Sequence, residues 1–211
     1  MDTNTILKSL QTRYATKAFD KTKKIPQEQW SFIEEALRLT PSSYGLEPWK
    51  FIVITNDDLK AELKPHSFNQ PSITDCSHLL VICANTNLNR DDVKRYFDQS
   101  ASLGNMSKED SVLHTDRVFG TFPYLGDLTA YTKNQAFIAL GNILTVASLV
   151  GIDACPVGGF MPNEYDRILN LKSLNLTSTV VVPFGYRNES DEFIKYKKVR
   201  KAKEDLFIYK K

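Results

Sequence analysis

Apolar side chains near the N-terminus recur with the spacing of a helix. A first stripe predicts a short amphipathic helix that ends at or near Arg13, and its apolar positions are Ile6, Leu7 and Leu10. A second stripe begins after Pro26, which we place in the first turn of a helix, and it stops at Pro41; its apolar positions are Trp30, Ile33, Ala36 and Leu37. Ser42 and Ser43 come next and are therefore predicted to lie in a loop.

The longest helical pattern runs from 134 to 150 and is closed by Gly151, and we expect it to be the central buried helix. A shorter helix is predicted over 162–169, where a proline opens it. Periodicity is weak between 87 and 133. A helix is indicated there over roughly 90–103, and a segment bearing Gly, Ser and Thr follows it. We interpret this region as a variable insertion.

Four segments have the composition of strands. Residues 49–54 and 79–84 come first, and 79–84 is apolar at every position, which predicts burial on both faces. A short strand is predicted over 153–156, and β-branched residues predict another over 178–183. No internal repeat, low-complexity block or linker divides the sequence, so we expect one domain spanning residues 1–211.

The composition predicts a hydrophobic core, and the charges of the last residues predict a basic C-terminal segment. A chain of 211 residues that is 42% hydrophobic can bury roughly 70% of the surface that its unfolded form exposes. The formal charge is only +2, but residues 195–211 hold eight Lys or Arg against Glu204 and Asp205. Such a run is typical of a solvated tail, and a nucleic-acid-binding arm is another interpretation. Aromatic and aliphatic residues interleave with these charges and favour a tail that packs on another surface.

The cysteines and histidines show no metal-ligand spacing. Cys76, Cys83 and Cys155 cannot all pair, which suits a reducing cytosol and favours structural thiols over a catalytic one. The sequence has neither the pattern of a signal peptide nor an apolar run near about 20 residues, so we expect a cytoplasmic protein without a membrane partner. The histidines have no obvious nucleophile partner, and we find no carboxylate pair, P-loop or dinucleotide-binding glycine motif. Hydrolase, glycosidase and nucleotide-fold assignments are therefore disfavoured.

Two N-terminal motifs indicate which chemistry the protein supports. The first is Arg13-Tyr14-Ala15-Thr16-Lys17-Ala18-Phe19-Asp20, and the second is Ser42-Ser43-Tyr44-Gly45-Leu46-Glu47-Pro48-Trp49. Two cations four positions apart at a helix end can reach a phosphate and an electron-rich ring together. These motifs resemble the N-terminal signatures of the nitroreductase family, whose members are FMN-dependent NAD(P)H oxidoreductases that work as homodimers.

The resemblance continues along the chain, through Phe68-Asn69-Gln70, Pro156-Val157-Gly158-Gly159-Phe160 and Lys198-Val199-Arg200. It implies an α+β sandwich in which helices flank a mainly antiparallel sheet and the C-terminal segments are exchanged in a homodimer. It also implies bound FMN, NADH or NADPH as electron donor, and a nitroaromatic, quinone or related small molecule as acceptor. No nucleic-acid partner is expected.

The family pattern assigns roles to particular side chains. Arg13, Lys198 and Arg200 are expected to bind the flavin phosphate, although Arg13 alone could be a helix C-terminal charge. Lys17 is expected beside the pyrimidine end of the flavin, where an ammonium stabilises the anionic reduced ring. The other implied cofactor-binding positions are Tyr14, Ala15, Pro41, Ser42, Ser43, Asn69, Gln70, Pro156, Val157, Gly158 and Gly159. In this family the loop that corresponds to Ser42 reaches the flavin of the other subunit.

No side chain is expected to serve as an acid, base or nucleophile, because the flavin carries the bond chemistry. Phe119, Phe122 and Tyr124 are predicted to line the acceptor pocket, although aromatics in such a segment are more often core residues. The chain departs from well-known members at Ser72, where they carry a second lysine, and at Gly158, where some carry Glu. Two other functions stay open: a dedicated reductase for a pteridine, an enone or a halogenated phenol, and a flavin-binding or regulatory protein with little turnover.

Overall fold

The computed structural model describes residues 2–210, so the two ends of the expected domain, Met1 and Lys211, lie outside the described residues. The helices are α1 (Thr3–Thr12), α2 (Gln27–Arg38), α3 (Asp57–Leu63), α4 (Ser72–Asp75), α5 (Arg90–Ser102), α6 (Lys108–Phe119), α7 (Leu128–Leu149) and α8 (Pro162–Ile168). The strands are β1 (Trp49–Ile54), β2 (His78–Asn85), β3 (Asp153–Ala154) and β4 (Leu176–Gly185). The expected α+β class is confirmed.

These strands form one sheet in the order β1-β2-β4-β3, and each neighbouring pair is antiparallel. β1 pairs with β2 from Trp49 opposite Ala84 to Ile54 opposite Leu79. The register between β2 and β4 shifts at Ile82, where an irregularity interrupts the ladder. The sheet has the antiparallel arrangement expected from the sequence, and β1 lies at one of its edges.

The sheet separates two hydrophobic cores. Leu80 and Ile82 of β2 pack with residues of α2 and α7 on one face, whereas Leu79 and Val81 pack with residues of α3 and α8 on the other. Successive side chains of a strand point to opposite faces, so a two-sided core requires an unbroken apolar run. The burial predicted for 79–84 on both faces is confirmed.

Two helices begin at different residues from those predicted. α7 begins at Leu128 rather than at 134, because the Asp127 carboxylate accepts N–H bonds from Thr129 (2.8 Å) and Ala130 (3.3 Å) and caps an extra stretch with little apolar periodicity. α2 begins at Gln27, and Pro26 is its N-cap rather than a residue of its first turn. Both helices end close to their predicted positions.

The region interpreted as a variable insertion contains a helix that the sequence pattern missed. α5 confirms the helix indicated over 90–103, and α6 packs against it. The Ser107 hydroxyl caps α6 by accepting the N–H of Asp110 (3.0 Å). Val112 and Leu113 of α6 face solvent, so the apolar residues of this helix do not follow one buried face. The hairpin of α5 and α6 helps to enclose a third apolar cluster, formed by Leu46, Leu88, Val93, Phe97, Val118 and Phe122.

The strand predictions differ in accuracy. β1 has the predicted bounds, whereas β3 ends at Ala154 instead of Pro156. β4 extends beyond 178–183 at both ends because it pairs with β2 on one side and β3 on the other. Backbone pairing therefore lengthens this strand past its β-branched run.

The three cysteines within residues 2–210 are buried and free of disulfide bonds. Burial raises the pKa of Cys76 and of Cys83 to about 12, and it also raises the pKa of Cys155. The thiols therefore stay protonated, as expected for structural cysteines. In the same range, no helix combines the length and apolarity that a membrane crossing requires.

Candidate functional site

Helix α1 positions the first cation of the site. Asp2 caps the helix by accepting the N–H of Thr5 (2.8 Å), and Arg13 is its C-cap. The backbone of Arg13 is extended (φ −64°, ψ 142°), so the chain leaves the helix there. α1 rests on α7, where the hydroxyl oxygens of Ser9 and Ser148 are 2.7 Å apart. The predicted helix that ends at Arg13 is confirmed.

A cleft of about 420 Å³ lies between the loop after α1 and the C-terminal segment. Four separate parts of the chain form its walls: residues within 11–17, Pro156, Arg187 and residues within 193–200. Among the residues predicted to bind cofactor, its lining includes Arg13, Tyr14, Ala15, Lys17, Pro156, Lys198 and Arg200. The fold therefore brings together residues near the two ends of the chain and a residue that follows β3.

The cations of this cleft repel one another. Burial and the charge of Arg200 lower the pKa of Arg13, and burial with the charges of Arg200 and Arg13 lowers the pKa of Lys198. Among the described residues that line the cleft, none is acidic. A bound anion would relieve the repulsion, and guanidinium and ammonium groups are the donors that suit a phosphate.

Lys198 is anchored at the end of α1. Its ammonium donates to the backbone oxygens of Leu10 and Arg13, where the helix leaves carbonyls without intrahelical partners. Lys198 is therefore held beside Arg13 although 185 positions separate the two residues.

Lys17 lies where the cationic cleft meets the segment after β3. Its ammonium nitrogen is 3.5 Å from the sulfur of Cys155, which directly precedes Pro156. Its backbone N–H donates to the Asp191 carboxylate (2.8 Å). Both the backbone and the side chain of Lys17 are therefore held in place.

Asp191 is a central residue that the sequence pattern did not reveal. Its Oδ2 accepts the Tyr14 hydroxyl (3.1 Å) and the N–H groups of Lys17 and Ala18, and its Oδ1 accepts the N–H of Phe193. Burial would raise the pKa of Asp191, but the bonds from these N–H groups outweigh burial and lower it. An Asp before a turn is a visible capping signal, but partners 174 positions away are not.

Tyr14 is held from two sides. Its hydroxyl donates to Asp191, and the guanidinium carbon of Arg187 lies 4.8 Å from its ring centroid. Arg187 is oriented in turn by Asp153, whose Oδ1 accepts its Nε (2.9 Å). Burial and Asp191 raise the pKa of Tyr14 to about 12, so the phenol remains a neutral donor.

The glycine segment runs from the cleft toward the Phe68-Asn69-Gln70 loop. Val157 exchanges backbone hydrogen bonds with Val181 of β4, which fixes the segment against the sheet. The Gln70 amide donates to the oxygen of Gly159 (3.0 Å). A side chain at Gly158 would meet nothing within 4 Å, so the backbone there borders open space. Asn69 has left-handed backbone geometry (φ 56°), which Asn tolerates.

Pro41, Ser42 and Ser43 do not line the Arg13 cleft of the same chain. The Ser43 N–H donates to the Gln135 side chain of α7 (2.8 Å), and the Ser42 hydroxyl accepts the N–H of Glu47 (2.8 Å). The loop is thus built against α7. A role at the flavin of a second subunit stays a prediction.

The three aromatics predicted to line an acceptor pocket lie elsewhere in this chain. Phe122 is 6% exposed within the third apolar cluster, and its ring centroid is 5.1 Å from that of Phe119. Tyr124 is 88% exposed. Phe122 packs as a core residue, and the acceptor-binding roles of all three stay predictions.

Comparison with solved structures places this architecture among nitroreductases. A protein from Exiguobacterium sibiricum, solved in complex with FMN, has a TM-score of 0.85 and 22% identity, over 100% of this chain and 98% of that one. The enone reductase CLA-ER of a gut-bacterial fatty acid saturation metabolism has a TM-score of 0.77 and 19% identity, over 99% of each chain. At these identities the likeness establishes the fold.

Sequence relatives are similar over nearly their whole length. A protein of Staphylococcus haemolyticus named "Putative NAD(P)H nitroreductase SH0546" is 35% identical, over 96% of this chain and 95% of that protein. YfkO of Bacillus subtilis, which bears the same description, is 33% identical over 95% of each. Residues 10–186 also match the model of the Nitroreductase family. From its fold, its relatives and this match, the chain belongs to the nitroreductase family.

Proposed function

We propose that this protein is an FMN-dependent oxidoreductase that uses NADH or NADPH to reduce nitroaromatics, quinones or related acceptors. The observation that carries the proposal is the cationic cleft, in which Arg13 and Lys198 have lowered pKa values beside Arg200. Family membership, relatives named as NAD(P)H nitroreductases and the FMN complex of the Exiguobacterium protein support it.

The residues present suit FMN. Arg13, Lys198 and Arg200 would hold the phosphate, and the ammonium of Lys17 would stabilise negative charge on the ring. The backbone of Gly158 and Gly159 would approach the ring without an intervening side chain, with Asn69 and Gln70 offering amide contacts nearby. When bound, FMN supplies the acceptance and transfer of hydride, so the protein contributes binding, orientation and electrostatics.

We also propose a homodimer with exchanged C-terminal segments. The tail exposes large apolar side chains that one chain leaves uncovered, among them Val199, Leu206, Phe207, Ile208 and Tyr209. A groove of about 840 Å³ follows the edge strand β1, and we place the partner's tail there. The Ser42 loop would then serve the partner's site. The free buried cysteines support a reducing compartment, the cytoplasm.

Deleting residues 205–211 should weaken this dimer and release flavin, because each buried aliphatic or aromatic side chain contributes about 1.5–3 kcal/mol. Sedimentation together with flavin absorbance measures both effects. A truncated monomer that keeps full FMN occupancy would show that the site lies within one subunit and that Ser42 is misplaced.

Two other functions remain as candidates. The likeness to CLA-ER favours a dedicated enone reductase as the more specific alternative, and a pteridine reductase is of the same kind. A flavin-binding protein with little turnover is a different class. The acceptor decides between the dedicated and the broad reductase, whereas reduction by nicotinamide decides whether the protein is a reductase at all.

The test is the flavin and the turnover of the purified protein. We expect it to be yellow, to release FMN rather than FAD on denaturation, and to oxidise NADH or NADPH with menadione or nitrofurazone. Release of FAD alone, or no binding on FMN titration, would contradict the cofactor assignment. Bound FMN that neither nicotinamide reduces would favour the binding-protein alternative, and turnover with enones alone would favour the dedicated reductase.

A further inference from the structure

One buried carboxylate joins the two parts of the chain that supply the cleft's cations. Asp191 is 3% exposed and is not part of the cleft lining. Its Oδ2 holds the loop that carries Arg13 and Lys17, and its Oδ1 caps the turn that leads to Lys198. Asp191 therefore acts on the cleft through other residues and not by touching a ligand.

The bond geometry suits a clamp. Three donors converge on Oδ2: the Tyr14 hydroxyl at 3.1 Å, the Lys17 N–H at 2.8 Å and the Ala18 N–H at 3.1 Å. Backbone bonds reinforce this junction, since Asn188 donates to the oxygen of Ala18 (2.9 Å). Charge-assisted bonds of this kind are shorter and stronger than neutral ones. The loop and the C-terminal turn are thereby fixed relative to each other.

The clamp opposes the repulsion among the cations. Arg13, Lys198 and Arg200 push one another apart. The bonds from the Lys198 ammonium to the oxygens of Leu10 and Arg13 restrain one side chain, whereas Asp191 restrains the backbones of the two segments that carry the cations. We propose that Asp191 is a positioning residue that sets the spacing between Arg13 and the Lys198–Arg200 pair, and with it the preference for FMN over riboflavin. This inference rests on the proposed function, because it takes the cleft as the site of the flavin phosphate.

Substitution by Asn should weaken the clamp with little change of shape. An amide offers only one acceptor oxygen, and its NH₂ group would face either the loop N–H groups or the N–H of Phe193. Asp191→Ser separates the two functions of the carboxylate. A Ser hydroxyl can still cap the Glu192–Lys195 turn, but it is too short to reach Lys17 and Ala18 as well.

The experiment measures dissociation constants of FMN and riboflavin for the flavin-free full-length chain by fluorescence titration. We expect the wild-type protein to prefer FMN strongly, and Asp191→Asn and Asp191→Ser to reduce that preference about tenfold or more, the range that one charge-assisted hydrogen bond contributes. A merely structural loss would weaken both ligands equally and leave their ratio unchanged.

Asp166→Asn is the matched control. Asp166 is also a buried carboxylate, which accepts the N–H of Ser178 (2.7 Å) and the hydroxyl of Thr177 (2.8 Å), but it is not part of the cleft lining. Asp166→Asn should lower the thermal stability of the protein and leave the ratio of the FMN and riboflavin dissociation constants unchanged.

Each outcome of the titration supports or overturns the positioning role. An unchanged ratio in either folded Asp191 variant would overturn it while leaving the proposed function intact. A wild-type protein that does not prefer FMN would overturn both. If Asp191→Asn does not fold, the ratio measured for Asp191→Ser is sufficient.

Discussion

In two regions of the molecule a lysine ammonium donates hydrogen bonds to backbone oxygens, and the two regions differ in the charges around that ammonium. The Lys60 side chain is fully buried, and its nitrogen lies within 3.3 Å of the oxygens of Cys76, Ser77 and the exposed Asp57 carboxylate. Lys198 also donates to two carbonyls, but its charged neighbours are Arg13 and Arg200. One charge is balanced within the chain and the other is not.

The contrast separates a structural cation, Lys60, from a cation that we propose binds a ligand, Lys198. At Lys60 the acceptors already satisfy the ammonium, so its removal should cost stability and leave ligand binding intact. At the cleft the like charges destabilise one another, so the removal of one should cost ligand binding and leave stability intact. Substitutions at the two regions should therefore have opposite effects on stability and binding.

Lys60→Met should have the largest effect on stability. The substitution keeps a long apolar stem but leaves the buried oxygens of Cys76 and Ser77 without this donor, which we expect to cost about 2–5 kcal/mol of unfolding free energy. Urea unfolding of the flavin-free protein measures the loss. The FMN-to-riboflavin ratio should not change, and unaltered unfolding would show that Lys60 is not a structural cation.

Acidification should destabilise the same region through His78. Its ring stacks on Trp30 (4.1 Å between centroids), and burial with the charges of Lys60 and Lys24 lowers its pKa to about 4. The folded state keeps the imidazole neutral while the unfolded chain protonates near the ordinary value of 6.5. The contribution of His78 to the free energy of unfolding is therefore fully present above pH 6.5. It falls by about 3 kcal/mol in total as the pH drops to 4.

The check is unfolding free energy across that pH window for the wild type and for His78→Phe, which keeps a ring against Trp30 but cannot titrate. The wild type should lose about 1.4 kcal/mol per pH unit more than the variant. Equal slopes in the two proteins would assign the acid sensitivity to other groups.

Arg200→Gln should weaken FMN binding about ten- to a hundredfold, because in the proposed site it would remove a charged donor to the phosphate. The free energy of unfolding of the flavin-free protein should be unchanged or slightly higher, since one repelling charge is gone. Lys201→Gln is the control, because Lys201 is the next residue along the chain and does not line the cleft. Destabilisation by Arg200→Gln without weaker FMN binding would make Arg200 a structural cation instead.

Lys17→Met should leave FMN bound and slow its reduction by about tenfold, or about 1.4 kcal/mol. In the proposed site the ammonium would act on the reduced ring more than on the oxidised one, and Ser72 supplies no second charge. Stopped-flow reduction and the flavin midpoint potential report the change. Lys21→Met, which removes an exposed lysine paired with Asp75, is the control; identical potentials for both variants would remove Lys17 from its role.

The sequence predicted the features that depend on local pattern. The bounds of β1, the two-sided burial of β2 and the helix end at Arg13 were all visible as apolar spacing. The start of α7 was missed because Asp127 caps turns with little apolar periodicity, and α6 was missed because part of its apolar stripe is exposed. Local polar capping can therefore add helix that periodicity does not indicate.

The site residues also fall into those that a local pattern predicted and those that it missed. Motif resemblance indicated Arg13, Lys17, Lys198 and Arg200, and the fold places them around one cleft. Asp191 was invisible because its importance lies in partners far away in sequence. Lys60 was missed for a related reason: a lysine in a polar helix is typical of the surface, and only tertiary packing turns its nitrogen toward the oxygens of Cys76 and Ser77.

The place of β4 in the sheet has a consequence for synthesis. This strand is made after β2 and β3, yet it lies between them and supplies residues to both cores. Until β4 leaves the ribosome, one edge of β2 has no neighbouring strand, which favours association with other nascent chains. The sheet can therefore be completed only once β4 has been made, and the growing chain should depend until then on chaperones that shield the open edge of β2.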